Sequence, residues 1–353
     1  MRTSGVRLSG LGVYLPPAET VEDAVRRGLY PAVEAELHQL GGAAVAGDVP
    51  AFEMALSAAK EAFGRSGRSP SEVDLLLYAT TWHQGPEGWL PHSYLQRHLT
   101  GGDLLATEIR QGCNGIFSAL ELASSYLLAD PARGGALVVA ADNYGTPRMD
   151  RWRLGPGYIA GDAATALVLT TGEEGFARLL SVYSATVPEA EALHRGDTPL
   201  FPPSITTGGT VSFAQRGEQH RRAAISDGTA AMAKLQDLFP SVVRHALDEA
   251  SIGLADVTRV AFMTTSREIV EQRCMVPLGL PMSKSTWDFG RTVGHCGASD
   301  QLLALNHLLT TGQLEPGDHV LMLASGPGVV VSCAVVQITG IPSWATPKRG
   351  TTA

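Results

Sequence analysis

Short apolar runs bounded by turn residues alternate along this chain with longer stretches of helical periodicity. The runs at 73–81 and 257–265 each follow a helix end and a short polar link, are rich in β-formers and finish on Thr-Thr, which predicts a strand in both places. They belong to two similar segments, AFGRSGRSPSEVDLLLYATT and ALDEASIGLADVTRVAFMTT, that begin 184 residues apart. A second pair keeps nearly that spacing: the segments opening at Cys113 and Cys296 lie 183 residues apart. Two elements preserving one offset point to a duplicated unit. Each copy reads strand, cysteine-bearing turn, helix, returning strand, with a helix expected over 114–128. The runs at 137–141 and 320–324 are short and continuously apolar, as central strands covered by helices on both faces should be, and 164–170 and 329–338 read as late strands. The class is therefore α/β. Turn residues Gly172 to Gly175 mark the join, giving halves of 1–173, which carries Cys113, and 174–353, which carries His295 and Asp300. The stretches 17–49, 82–102 and 188–222 stand outside the repeat and are expected to lie over a site, or else to be plain surface loop.

Composition narrows the function. With 353 residues, 44% of them hydrophobic and 18% charged, the chain has ample material for a large core. Lys and Arg number 27 against 35 Asp and Glu, a net charge of -8 that is the wrong sign for a general nucleic-acid binder. No run approaches the ~18 apolar residues of a membrane span. The start, MRTSGVRLSGLGVYLPP, has glycines inside its only apolar stretch and lacks the pattern of a secretion signal, so a cytoplasmic location is expected. Four cysteines without a CxxC pair indicate neither a disulfide framework nor a metal site.

The chemistry gathers at the two cysteine-bearing turns. Cys113, in Arg110-Gln111-Gly112-Cys113-Asn114-Gly115, follows a strand-like segment and opens a helix, where free N–H groups and the helix dipole stabilise a thiolate. A small buried cysteine is the competing reading. The second turn is Gly294-His295-Cys296-Gly297-Ala298-Ser299-Asp300. If a pseudo-twofold relates the halves, this turn faces the first, and His295 stands near Cys113 with Asp300 positioned to bind its other ring nitrogen. Taken singly, His295 would be an ordinary polar residue and Asp300 a helix cap. Cys274, Cys296 and Cys333 read as packed thiols.

These residues give the chain an almost end-to-end resemblance to thiolase-superfamily proteins of the β-ketoacyl-acyl-carrier-protein synthase III type. It is carried by LSGLGVYLPP at 8–17, the GCNG turn, AGDAATALVL at 160–169, VGHCGASD at 293–300 and GDHVLMLASGPG at 317–328. The resemblance implies a thiolase-like five-layered αβαβα fold built from two pseudo-twofold-related halves, a homodimer, an acyl thioester on Cys113 and no permanent cofactor or metal. Asp162 falls in a motif that is generally structural in this family.

The departures redirect the expected reaction. Ketosynthases of this type hold an enolate oxygen between a His and an Asn; here the first position falls in Phe262-Met263-Thr264-Thr265-Ser266, without an imidazole, and the second is His295. One histidine backed by a carboxylate suits removal of a proton from a hydroxyl, which makes acyl transfer to oxygen the leading expectation. The pattern Cys113, His295, Asp300 resembles the ketosynthase-like acyltransferases of aromatic polyketide glycoside pathways. That resemblance implies transfer of malonyl from malonyl-coenzyme A, or from an acyl carrier protein, to a sugar hydroxyl of a glycosylated polyketide. Coenzyme A phosphates would call for cations, and Arg148, Arg151 and Arg153 beside Trp152 form a candidate cluster, the indole stacking on adenine. In Ser325-Gly326-Pro327-Gly328 the family's middle residue offers an amide to the thioester oxygen, whereas proline has none. Two other readings stand: a decarboxylating condensing enzyme using Thr264 or Ser266 beside His295, and a noncatalytic ketosynthase partner.

Overall fold

A computed structural model describes residues 1–227 and 230–345. Nine strands form one hydrogen-bonded sheet: β1 (Arg2–Tyr14), β2 (Leu75–Thr80), β3 (Leu105–Arg110), β4 (Ala136–Asp142), β5 (Ala163–Thr171), β6 (Ala177–Thr186), β7 (Val257–Phe262), β8 (His319–Gly326) and β9 (Val330–Ile338). Their order across the sheet is β3-β2-β4-β5-β1-β6-β9-β8-β7. It reads alike from both ends. β2 pairs parallel with β3 and β4, and β4, β5 and β1 follow antiparallel. From the other side, β7 pairs parallel with β8 and bridges in parallel to Ser285, and β8, β9 and β6 follow antiparallel. β1 and β6 meet in the middle with a shifted register.

Alternation along the strands divides the side chains into three packing layers. On β2, Leu75, Leu77 and Ala79 face the central layer while Leu76 and Tyr78 face an outer one; on β8, Val320, Met322 and Ala324 point inward and Leu321 and Leu323 outward. The central layer holds the helices α2 (Gly115–Ala129) and α5 (Asp300–Thr310), clamped between the two half-sheets. The outer layers are α1 (Ala51–Ser66), packed on β1, β4 and β5, and α4 (Ala230–Ala250), which follows α3 (Phe213–Asp227) in the chain and packs on β6 and β9. The result is the five-layered αβαβα arrangement. Both central helices begin directly after a cysteine-bearing turn, which is what brings the two turns face to face.

The expected strands and helices recur within a few residues of their sequence limits. The helix expected over 114–128 is α2, preceded by a 3-10 turn over Gly112–Asn114. β1 and β6 were not legible as strands. Gly10 and Gly12 of β1 lie against α1, where a Cβ on Gly12 would stand 2.0 Å from the Ala58 carbonyl oxygen, so the close helix contact demands glycines that mask the strand pattern. Among the described residues no helix is long and apolar enough to cross a membrane.

Candidate active site

Cys113 stands between β3 and α2 on a turn whose preceding residue, Gly112, has φ +54°. No other residue fits there: a Cβ on Gly112 would come within 2.6 Å of the Pro327 Cδ. Pro327 thus presents its ring to the nucleophile turn, and its neighbour Gly326 comes close to the Cys113 amide. A cleft of about 410 Å³, lined by Thr81, Arg110, Gln111, Gly112, Pro327 and Gly328 among others, opens beside this turn.

His295 is fixed by its backbone before its ring is considered. Its N–H donates to Ile159 O at 2.7 Å, and its carbonyl accepts from Gly161 N at 2.9 Å. The AGDA segment therefore forms a short bridge that aims the imidazole. Gly161 must lack a side chain, because a Cβ would lie 2.3 Å from Val293 O. Asp162 locks the same segment: it is fully buried and accepts from Ala46 N, Tyr144 N and the Arg151 guanidinium.

The structure brings the three sequence candidates together. Cys113 Sγ is 2.8 Å from His295 Nε2, and His295 Nδ1 is 2.6 Å from Asp300 Oδ2. Asp300, the first residue of α5, is held by two backbone amides, Cys296 N to Oδ1 at 2.6 Å and Thr264 N to Oδ2 at 2.7 Å. His295 and Asp300 are buried, whereas Cys113 keeps partial access to solvent. Burial by itself would push the imidazole down; the charges of Cys113 and Asp300 on its two sides outweigh that and hold His295 well above the usual histidine range. The ring thus lies between the Cys113 sulfur and the Asp300 carboxyl, with one nitrogen turned to each. Cys296 beside it is fully buried and its thiol is pushed up by burial and by Asp300, as an inert packed thiol would be.

Two tyrosines near the sulfur were missed by sequence reasoning. The Tyr158 ring meets His295 edge-on with centroids 5.3 Å apart. Tyr144 Oη is 3.0 Å from Thr81 Oγ1, whose hydroxyl donates to Asp142. Burial, with the Cys113 charge adding to it, raises both phenols well above their ordinary range, so they remain neutral donors. Their contacts span many residues of sequence, and no motif marks them.

The other candidates are placed less favourably. Trp152 is 5% exposed and packs against Tyr30, so its faces are closed to an adenine ring, and Arg151 is tied to Asp162 at 2.9 Å and to the carbonyl of Ala160. Both therefore correct the expected coenzyme A cluster: they hold the fold around the AGDA bridge. Arg153 is exposed, near Asp150 and Gly28 O, and Arg148 turns instead toward the 188–222 stretch through Ser204 O. Of the hydroxyls proposed for an enolate, Ser266 caps a short helix at Ile269 N, and Thr264 Oγ1 is crowded against Gly290.

Comparison with known proteins finds relatives in sequence and in structure. The family model described as 3-oxoacyl-acyl-carrier-protein synthase III matches residues 107–187, and the model for its C-terminal part matches 247–338. A mycobacterial β-ketoacyl-acyl-carrier-protein synthase III from Mycobacterium tuberculosis is 26% identical over 349 residues, covering 95% of this chain and 97% of the relative. Among solved structures, the acyltransferase ChlB3 is 57% identical, with a TM-score of 0.92 over 96% of this chain and 99% of its own. The 3-oxoacyl-acyl-carrier-protein synthase III of Aquifex aeolicus shares the fold at 21% identity and a TM-score of 0.74, over 94% of this chain and all (100%) of its own.

Proposed function

This chain belongs to the 3-oxoacyl-acyl-carrier-protein synthase III-like family of the thiolase superfamily and is an acyltransferase of that type, and from that premise we propose that it carries an acyl group on Cys113 from a thioester donor to an acceptor hydroxyl. The observation that supports this most is the single imidazole backed by a carboxylate, Cys113–His295–Asp300, in place of two enolate donors. The donor in this reading is malonyl-coenzyme A or an acyl carrier protein thioester, and the acceptor a sugar hydroxyl of a glycosylated polyketide.

The charge balance gives His295 two duties in turn. The Cys113 thiolate attacks the thioester carbonyl carbon, and the carbon–sulfur bond to the donor breaks as the leaving thiolate takes the proton from His295. The charge that held His295 protonated has then left Cys113, because its sulfur is now a neutral thioester. Burial still lowers the imidazole, and only Asp300 now opposes it. The neutral ring is thereby ready to take the acceptor's hydroxyl proton while the alkoxide oxygen attacks the acyl carbon and the Cys113 thiolate is released. Asp300 positions the ring throughout.

The test is intact-mass spectrometry after incubation with malonyl-coenzyme A and a panel of other acyl-coenzyme A thioesters. Wild type gains one acyl mass and Cys113→Ala gains none. His295→Ala still loads, but transfer to the acceptor falls by about 10²–10⁴. Labelling of Cys113→Ala to the wild-type extent, or stoichiometric release of labelled carbon dioxide with malonyl donors, rejects the scheme.

A further inference from the structure

The 188–222 stretch contains four arginines, and three are neutralised at short range: Arg195 by Glu191 at 2.9 Å, and Arg221 and Arg222 by Glu218. Arg216 is the exception. Among the described residues neither it nor Arg148, which faces the same stretch, has a carboxylate within 4.0 Å. Both are instead held by neutral carbonyls: Arg216 Nη1 donates to His194 O at 3.2 Å, and Arg148 Nη2 to Ser204 O at 3.0 Å. Such bonds fix a guanidinium without cancelling its charge. Arg216 is further steadied over the Phe213 ring, 5.7 Å from its centroid.

Arg216 has Arg148 and His194 for neighbours. The Arg148 charge opposes that of Arg216, and burial together with Arg216 and His220, one turn further along the helix Phe213–Asp227, pushes His194 below its usual range. Two nitrogens there, Arg148 Nη1 and His194 Nδ1, are buried without any hydrogen-bond partner. Unpaired like charges beside orphaned nitrogens are costly unless an anion completes the set. The cluster is also well placed: Phe213 and Tyr158 both pack against the buried group of Tyr144, Leu154 and Ala160, and Tyr158 meets the His295 ring edge-on.

We propose that Arg148, Arg216 and His194 form a binding site for a phosphate of the pantetheine-type thioester donor, seated on the 188–222 stretch. The identity of the ligand rests on the acyl-transfer reading above. The shared chemistry is a phosphate monoester or diester, which both coenzyme A and the prosthetic arm of a carrier protein supply; guanidinium forks suit its oxygens, and the bound anion's charge favours uptake of a solvent proton by His194, which then donates to it.

The test is equilibrium binding by calorimetry to the full chain carrying Cys113→Ala, with and without Arg148→Gln and Arg216→Gln. The probes are coenzyme A, 3′-dephospho-coenzyme A, 4′-phosphopantetheine and pantetheine. The double variant is expected to bind coenzyme A at least about 10-fold more weakly and pantetheine unchanged, which also reports an intact fold. A loss shared by 4′-phosphopantetheine assigns the site to the phosphate common to coenzyme A and carrier proteins; a loss confined to coenzyme A assigns it to the 3′-phosphate. Unchanged affinities, an equal loss for pantetheine, or no binding of coenzyme A by the unsubstituted cluster overturns the proposal. Because no turnover is measured, arginine-dependent binding stands even if Cys113 is never acylated, whereas loading of Cys113 with unchanged affinities sinks the site alone.

Discussion

Asp300 accepts three donors on two oxygens, the Cys296 and Thr264 amides and the His295 ring. Asparagine has one acceptor oxygen and would set an N–H against at least one of those donors. Asp300→Asn is therefore expected to slow acyl transfer by about 10²–10⁴ and to lower stability by about 1–3 kcal/mol through the buried, unpaired amide. Kinetics of transfer from pre-acylated protein, with urea unfolding alongside, check both; a variant that keeps wild-type transfer would remove Asp300 from its positioning role. The residues legible from sequence were those whose place follows from local grammar: Cys113 and Asp300 each open a helix after a glycine-bearing turn. Trp152 and Arg151 were misjudged for the opposite reason. Sequence shows that an indole and a guanidinium are neighbours but not that one turns into the Tyr30 cluster and the other onto Asp162.

Where elements end, a second carboxylate does the joining. Asp142, the last residue of β4, accepts on Oδ1 from Thr80 Oγ1, Thr81 N and Thr81 Oγ1, each at 2.8 Å, and from Gln84 at 3.2 Å. This ties β4 to the Thr-Thr end of β2, while its other oxygen, without a partner, lies against Gly297 in the His295 turn. Burial pushes this carboxyl up to about 6, with the four donors opposing. A raised carboxyl binds more protons folded than unfolded between its ordinary 3.8 and about 6, so its contribution to stability is present below that window and is lost as pH rises through it. Asp142→Asn should erase this component. Comparing urea unfolding of the two proteins across the window, the wild type should lose on the order of 3 kcal/mol relative to the variant as pH rises. Parallel curves would show that Asp142 does not titrate there. Both Thr-Thr pairs were legible as strand ends, but their tasks have diverged: in the second half the Thr264 amide serves Asp300 instead.

At the level of the whole molecule the sheet has two unlike ends. Beyond β7 the segment at Ser285 bridges the edge, whereas β3 has β2 on one side and no strand on the other among the described residues. Its outer residues are open, with Leu105 58% exposed, and Leu122 on the adjoining α2 is 53% exposed. An edge carrying unpaired amides beside exposed leucines invites pairing with another chain. The homodimer that the family resemblance implies is expected to join β3 to β3 about a twofold axis, a self-complementary contact that closes the assembly at two chains. The arrangement bears on catalysis, because Gln111, Gly112 and Cys113 leave β3 directly and a paired β3 anchors the turn that carries the sulfur. Light scattering should give the wild type twice its 37.2 kDa chain mass, and Leu105→Lys with Leu122→Lys should give the single mass. The separated chains should also acylate Cys113 more slowly while retaining their helix content. A wild type that runs as a monomer at tens of micromolar, or a doubly substituted protein that stays dimeric, would place the contact elsewhere and leave β3 an ordinary edge.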